Sequence, residues 1–186
     1  MNRPLSELTL EELWQLFPIV LSEYDPAWPV WYAEEAEALK GLLDSSLLRI
    51  RHIGSTSVPG LVAKPTVDIL LEIADEALPA EVRRALEAGG WTTMAEANVR
   101  EWRLDMCKGY TPDGYAERVF HLHVRRFGDW DEPYFCAYLR EHADAASEYV
   151  ALKRELAVKF RNNRDAYTAG KTEFIRNITA LARSKR

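Results

Sequence analysis

His52-Ile53-Gly54-Ser55-Thr56-Ser57-Val58-Pro59-Gly60-Leu61-Val62-Ala63-Lys64-Pro65-Thr66-Val67-Asp68-Ile69-Leu70-Leu71-Glu72 joins one apolar strand to another through a Gly-Ser turn and a short crossover. Gly54 has no Cβ, so the backbone can come close to a ligand there, and the Ser55-Thr56-Ser57 run behind it supplies hydroxyls and N–H groups suited to an anion. Lys64 adds a positive charge in the crossover. Asp68 stands inside the apolar run 67–71, where an ordinary core strand carries no charge. Burying a carboxylate there is costly unless it is paired, hydrogen-bonded or bound to a cation. The stretch reads as a phosphate site facing a metal site.

Outward from it, residues 47–53 and 65–73 read as the two strands. Thr9 followed by Glu12 is a capping box that opens a short helix through Leu16, ended by Pro18, so residues 1–17 form a helical extension. A strand is expected over 19–24. Asp25 then caps a helix with Pro26 in its first turn, on which Trp28, Trp31, Tyr32, Ala36 and Leu39 recur at helical spacing. A helix over 81–88 closes on Gly89-Gly90, and strands over 91–94, 99–106 and 118–125 follow, the last two joined by a Thr111-Pro112-Asp113-Gly114 hairpin turn. From residue 132 the pattern is helical, over 134–142, 145–161 and 168–182, with Asp165 and Gly170 placed in the loop before the last helix. The expectation is α/β (α+β): one domain over 1–186, a mixed sheet flanked by helices, and a C-terminal helical segment, 132–186, packed on the sheet.

The 186 residues suffice for one well-filled core, and 47% apolar with 28% charged residues is the balance of a soluble globular protein. A formal charge of -5 argues against general nucleic-acid binding and leaves room for a local basic pocket. The N-terminal residues carry no signal-peptide-like apolar stretch and no run is long enough to span a bilayer, so no membrane role and a cytoplasmic location are expected. Cys107 and Cys136, 29 positions apart and outside any CxxC pattern, suggest neither a zinc knot nor a disulfide.

His121 and His123 alternate about Leu122, so on a strand both rings face one side. With Asp68 from a neighbouring strand they make a two-His, one-carboxylate set for a divalent ion, or leave one imidazole free as a general base. Equally compatible with the spacing are two histidines satisfied by backbone carbonyls or nearby carboxylates. Asp68 itself has a bland alternative, an ion pair with Lys64 or Arg51. His52 is within reach of the same cleft, and His142 ends a helix, where it complements the dipole. Arg100, Arg103 and Lys108 lie along or beside the hairpin, and an Arg fork suits phosphate, though alternation does not choose between Arg103, on one side with Asp105 and Glu101, and Arg100, with Trp102. Lys108 reads as solvated, as does Lys153 within its Lys-Arg-Glu stretch.

The stretches Glu23-Tyr24-Asp25-Pro26-Ala27-Trp28, His52 to Leu61, Lys64-Pro65 with Asp68, and His121-Leu122-His123-Val124 closely resemble the GrpB family, and the likeness runs on through Tyr138-Leu139-Arg140, Tyr149 to Lys153, and Tyr167 with Lys171. The resemblance implies a nucleotidyltransferase-like fold, with a Gly-Ser turn before a strand of catalytic carboxylates, and relatives fused to dephospho-CoA kinase. It marks Lys153, Tyr167 and Lys171 as cleft residues.

On this resemblance the expected ligand is a nucleoside triphosphate held by Gly54, Ser55, Thr56, Lys64, Arg103 and Lys171. A divalent metal, Mg²⁺ or Mn²⁺ with Zn²⁺ as an alternative, is expected on Asp68, His121 and His123, which also serve catalysis of nucleotidyl transfer to an acceptor. One departure stands out: two-metal transferases place a second carboxylate two positions after the first, and here that position is Leu70. Glu72 lies about 13 Å from Asp68 at a strand rise of ~3.3 Å, too far to share an ion pair spaced ~3.5–4 Å. The alternative is a non-catalytic nucleotide or coenzyme A-related binding module that assists a coenzyme A biosynthesis enzyme. A further alternative is metal-dependent hydrolysis on the two histidines and Asp68.

Overall fold

The computed structural model describes residues 3–98 and 101–185. Its helices are α1 (Leu10–Leu16), α2 (Ala27–Leu43), α3 (Pro79–Ala88), α4 (Asp131–Glu141), α5 (Ala143–Lys159) and α6 (Arg164–Ser184), and its strands β1 (Leu47–Ile53), β2 (Val67–Ile73), β3 (Thr92–Asn98), β4 (Trp102–Thr111) and β5 (Gly114–Arg126). The strands form one sheet in the order β1-β2-β5-β4-β3, with β2 and β5 parallel and the other neighbours antiparallel. This is the expected mixed sheet flanked by helices, with the helical C-terminal segment laid against it. Among the described residues no helix is long and apolar enough to cross a membrane.

Strand alternation divides the sheet into two unlike faces. Val67, Ile69, Leu71 and Ile73 of β2 point with Leu104, Met106, Leu122 and Val124 into a fully apolar core under α2 and α3, closed by Trp28, Leu39, Val82 and Leu86. Each such side chain contributes ~1.5–3 kcal/mol by leaving water. The opposite face carries Asp68, Leu70 and Glu72. Around Leu70 and Ile53 it packs on Phe135, Leu139, Tyr149 and Ile178 of the C-terminal helices. Glu72 is fully buried, held by Arg49 at 2.5 and 2.6 Å, by Arg51 at 3.3 Å and by the Gly128 N–H at 3.2 Å. It is a structural ion cluster.

α1 opens on the reciprocal Thr9–Glu12 capping box, and the Asp25 carboxylate accepts from the Ala27 N–H at the start of α2. Three expectations need correction. Residues 19–24 form no sheet strand: Ser22 makes a lone bridge with Ala63, and the Ile19 N–H donates to the Arg161 carbonyl at 2.7 Å, so the segment is strung between the crossover and the C-terminal helices. Asp165 and Gly170 lie inside α6, because Asn163 accepts from the Ala166 N–H and starts the helix early. The β4–β5 hairpin is longer than expected, β5 beginning at Gly114. Arg100 lies outside the described residues.

Candidate functional site

Parallel pairing sets Asp68 beside His121, and antiparallel pairing sets Asp105 beside His123. Three adjacent strands thus present a carboxylate, two imidazoles and a second carboxylate on one face. His121 Nδ1 lies 3.1 Å from Asp68 Oδ1, and His123 Nε2 forms an ion pair with the same oxygen at 3.7 Å. On its far side, His123 Nδ1 meets Asp105 Oδ1 at 2.8 Å, and Arg125 donates to that oxygen at 2.7 Å.

The partners decide the protons. His121 Nε2 lies 3.1 Å from the Arg164 guanidinium, which has only donors, and 2.8 Å from the Tyr110 hydroxyl. Nε2 must therefore accept, which leaves a neutral His121 whose Nδ1–H donates to Asp68. Burial pushes the His121 pKa down, and Asp68 offsets only part of that. His123 sits between two carboxylates and is the opposite case: burial opposes its charge, but Asp105 and Asp68 raise it to about 9, so it is an imidazolium at neutral pH. Burial likewise opposes the Asp68 anion and is outweighed by His121 and His123, which hold the carboxyl well below the usual range.

These groups floor a cavity of about 260 Å³ whose remaining walls include Ser55, Lys64, Lys153, Arg164, Tyr167 and Lys171. Four lysine and arginine side chains, besides the His123 imidazolium, therefore share the cavity with Asp68, the one carboxylate among the described lining residues. Burial, then Arg164 and Lys171, lower Lys64 to about 7; burial and then Lys171 lower Lys153 to about 7. Lys153 is only 2% exposed, and donates to Ser55 Oγ at 3.1 Å and to the Val62 carbonyl. A concave site with this imbalance attracts a polyanion.

Of the residues read from sequence, Ser55, Lys64, Asp68, His121, His123 and Lys171 meet in this cavity. Gly54 stands behind it. Its φ is 70°, and a Cβ there would collide with Asp68 Oδ2, so the glycine makes room for the carboxylate. Gly54→Ala is expected to lose about 1–3 kcal/mol of stability from backbone strain. It should also lower the His123 pKa from about 9 as Asp68 is displaced, measured by denaturant melts and histidine NMR titration. An unchanged melt and titration would rule out this tight fit.

Other positions are elsewhere. Thr56 is buried, its hydroxyl 3.0 Å from His52 Nε2 and 3.3 Å from the Thr66 carbonyl, so it braces the turn instead of facing a phosphate. His52 stacks on Tyr32 of α2 with centroids 4.8 Å apart, on the other side of the sheet, and burial lowers it to about 4. Arg103 shares the face of His123 but stands one alternate position beyond Asp105, exposed, pairing with Glu101 and covering Trp130, so it is not part of the cavity wall. Lys108 is paired with Glu35, and Arg51 with Glu72.

Arg164 and Asp105 are site residues that neither the residue pattern nor the resemblance selects, while Lys153, which the resemblance marks as a cleft residue, reads as solvated from its neighbours alone. Lys153 is buried and not solvated because it follows Tyr149 by four residues and precedes Leu156 by three, which places all three on the packed face of α5. That spacing was the available signal.

A resident metal meets a poor fit in this arrangement. Among the described residues no group of three or more His, Cys, Asp and Glu side chains is arranged to hold an ion, and the nitrogens of both histidines have protein partners. Mg²⁺ arriving on phosphates is a lighter demand, since one or two carboxylates plus the phosphates suffice.

The family model described as GrpB protein matches residues 18–181. UPF0157 protein PA4798 of Pseudomonas aeruginosa is 40% identical over 159 residues, 85% of this chain and 65% of its own length. UPF0157 protein YqkA of Bacillus subtilis is 32% identical over 166 residues, 88% of this chain and 46% of that protein. The chain thus spans less than two thirds of either relative. The crystal structure of conserved protein GrpB from Enterococcus faecalis superposes with a TM-score of 0.78 at 34% identity, covering 89% of this chain and 98% of that one. More distantly, a dephospho-CoA kinase of Mycolicibacterium paratuberculosis is 26% identical over 86% of this chain and 45% of its own length.

Proposed function

The chain belongs to the GrpB family, and from that premise and the charge of its cavity we propose that it binds a nucleoside triphosphate by the phosphates. Lys64, Lys153, Arg164 and Lys171 neutralise the phosphate charge, the Ser55 hydroxyl takes a phosphate oxygen, and Asp68 is the protein carboxylate for a Mg²⁺ or Mn²⁺ carried in on the nucleotide. The observation that carries this reading is the convergence of four lysine and arginine side chains, besides the His123 imidazolium, around one carboxylate, with two of the lysines lowered to about 7 by burial. Buried charges are retained where something compensates them, and a triphosphate compensates these.

Nucleotidyl transfer would extend the same reading, with neutral His121 as the base toward an acceptor hydroxyl. The geometry supports binding better than transfer. Leu70 occupies the place of a second carboxylate, and Asp105 is held away from the cavity by His123 and Arg125. The likeness to a dephospho-CoA kinase favours coenzyme A precursors as rival ligands and a coenzyme A biosynthesis enzyme as the partner assisted. A nucleotide ligand and two unpaired cysteines suit the cytoplasm.

The test is a thermal-shift and calorimetric panel of ATP, GTP, CTP, UTP, dephospho-CoA and inorganic tripolyphosphate, each with and without Mg²⁺. A true ligand at a hundredfold excess over its dissociation constant should add ~2.7 kcal/mol of stability. If no phosphorylated compound raises the melting temperature, the reading is wrong. Pyrophosphate released in the presence of Mg²⁺ would move the protein from binding module to transferase.

A further inference from the structure

The cationic cavity has a larger neighbour. A cleft of about 900 Å³ opens between the N-terminal segment, the β3–β4 edge and α6, and Arg164 and Thr168 line both spaces. Its character is different: Leu10, Leu13, Trp14 and Phe17 form one wall, and Met94 and Tyr110 belong to the sheet side. Tyr110 links the two spaces physically. Its hydroxyl meets His121 Nε2 at 2.8 Å in the cationic site, while its ring packs edge-on against Phe17 with centroids 4.7 Å apart. Leu10 and Met94 are 50% and 45% exposed, so apolar surface is left open at the cleft.

Resting on the phosphate reading, we propose that this cleft is the seat of the nucleobase, so that residues 5–17, which precede the stretch matched by the family, set which nucleotide this chain accepts. Continuity and chemistry both point there. A ligand whose phosphates occupy the cationic cavity has its uncharged end directed past Arg164 and Thr168 toward the aromatic rings. A nucleobase is flat, aromatic and rimmed with hydrogen-bonding groups. The half-buried Trp14 offers ring surface for stacking, the packed rings of Phe17 and Tyr110 line the same cleft, and Thr93, Thr168 and Thr172 add polar side chains to it for the base edge. The volume is ample for a base and sugar. The wall is fastened where it matters: Asn162, just before α6, donates to the Trp14 carbonyl at 3.2 Å, so α1 is tied to the helix that carries Arg164.

The test compares inorganic tripolyphosphate with the preferred nucleotide by calorimetry on the full chain. Trp14→Ala should weaken nucleotide binding about tenfold or more, the loss expected when a stacking ring is removed, and leave tripolyphosphate within about twofold of the parent. Met94→Trp, at an exposed position where folding is not at stake, should fill the cleft and do the same. Nucleotide binding untouched by both variants, or a parent protein that binds tripolyphosphate as tightly as any nucleotide, overturns the base seat and leaves the phosphate reading standing. Equal loss of both ligands in the two variants also overturns it. A parent protein that binds neither ligand removes both proposals.

Discussion

Lys153→Met is expected to cost at least about a hundredfold in affinity for tripolyphosphate and nucleotide, about 2.7 kcal/mol, while making the ligand-free protein more stable. The two effects have one cause. Lys153 is all but inaccessible to water, its ammonium bound to Ser55 Oγ and the Val62 carbonyl with no carboxylate partner of its own, and burial with Lys171 lowers its pKa to about 7. An unfolded lysine titrates near 10.5. Between pH 7 and 10.5 the unfolded chain therefore holds more protons than the folded one, and stability rises with pH across that window; below about 7 the penalty is at full size.

Methionine, similar in length and uncharged, removes the penalty. At pH 6 the variant should gain about 1–4 kcal/mol, the range seen when buried charges yield to apolar side chains. The gain should shrink toward pH 10. His123 runs the other way: its raised pKa of about 9 gives stability present in full below about 6.5 and lost as pH rises through 9. Both proteins contain His123, so the difference between them isolates the lysine. Denaturant melts from pH 6 to 10 with calorimetry at pH 7 measure both effects. A variant that binds tripolyphosphate like the parent, or is less stable at pH 6, would show that Lys153 braces the fold and is not an anion ligand.

Lys153, solvated by its Lys-Arg-Glu context and a cleft residue by resemblance alone, shows what a chain does and does not disclose. Periodicity of two and of 3.6 located the elements well, as in β1 over 47–53 and in the Thr9–Glu12 box, because those signals are local. The meeting of Asp68 with His121 and His123 was legible for the same reason: alternation puts both imidazoles on one face, and an isolated carboxylate in an apolar strand must seek partners. Asp105 was not legible, because a hairpin register is a sum over every residue between the turn and the site. Tyr110 pairs with Tyr115, and carrying that pairing on unbroken would set His123 opposite Trp102. A shift between Lys108 and Tyr110 brings Asp105 there instead. It turns on Gly109, whose φ is 89° and whose Cβ, if present, would collide with the Arg118 carbonyl oxygen. Arg164 reaches the cavity only through the docking of α6, which no local pattern encodes, and the spacing that puts Lys153 on the packed face of α5 does not say which cavity it meets. Thr56 and Gly54 show the reverse error. Residue types that suit phosphate also suit a tight turn, and here Thr56 braces the turn while Gly54 makes room for Asp68.

Asp68→Asn should produce the second large change, and it separates the metal from the phosphates. The asparagine keeps the shape and can still accept from His121, but it no longer compensates the cations around it. Removing one partner of a buried pair should cost roughly 3 kcal/mol, the low end of the usual range, because the Asp68 side chain keeps some contact with solvent. The wild-type contribution is present above the unfolded carboxyl pKa and is lost only as pH falls well below it, so this deficit should persist at neutral pH. The His123 pKa should fall below about 9, with Asp105 alone left to hold it up.

Binding should change in the opposite sense. Taking a negative charge out of an anion site removes a repulsion, and at protein-surface screening a single charge a few ångströms away is enough for about tenfold tighter tripolyphosphate in the absence of metal. The increment that Mg²⁺ adds in the parent should vanish, since the ion loses its protein carboxylate. Calorimetry of parent and variant, each with and without Mg²⁺, gives four affinities and two signs. A variant that retains the full Mg²⁺ increment would take the ion away from Asp68, and one that binds metal-free tripolyphosphate more weakly would mean the carboxylate's service is to hold His121 and His123 in place for the phosphates.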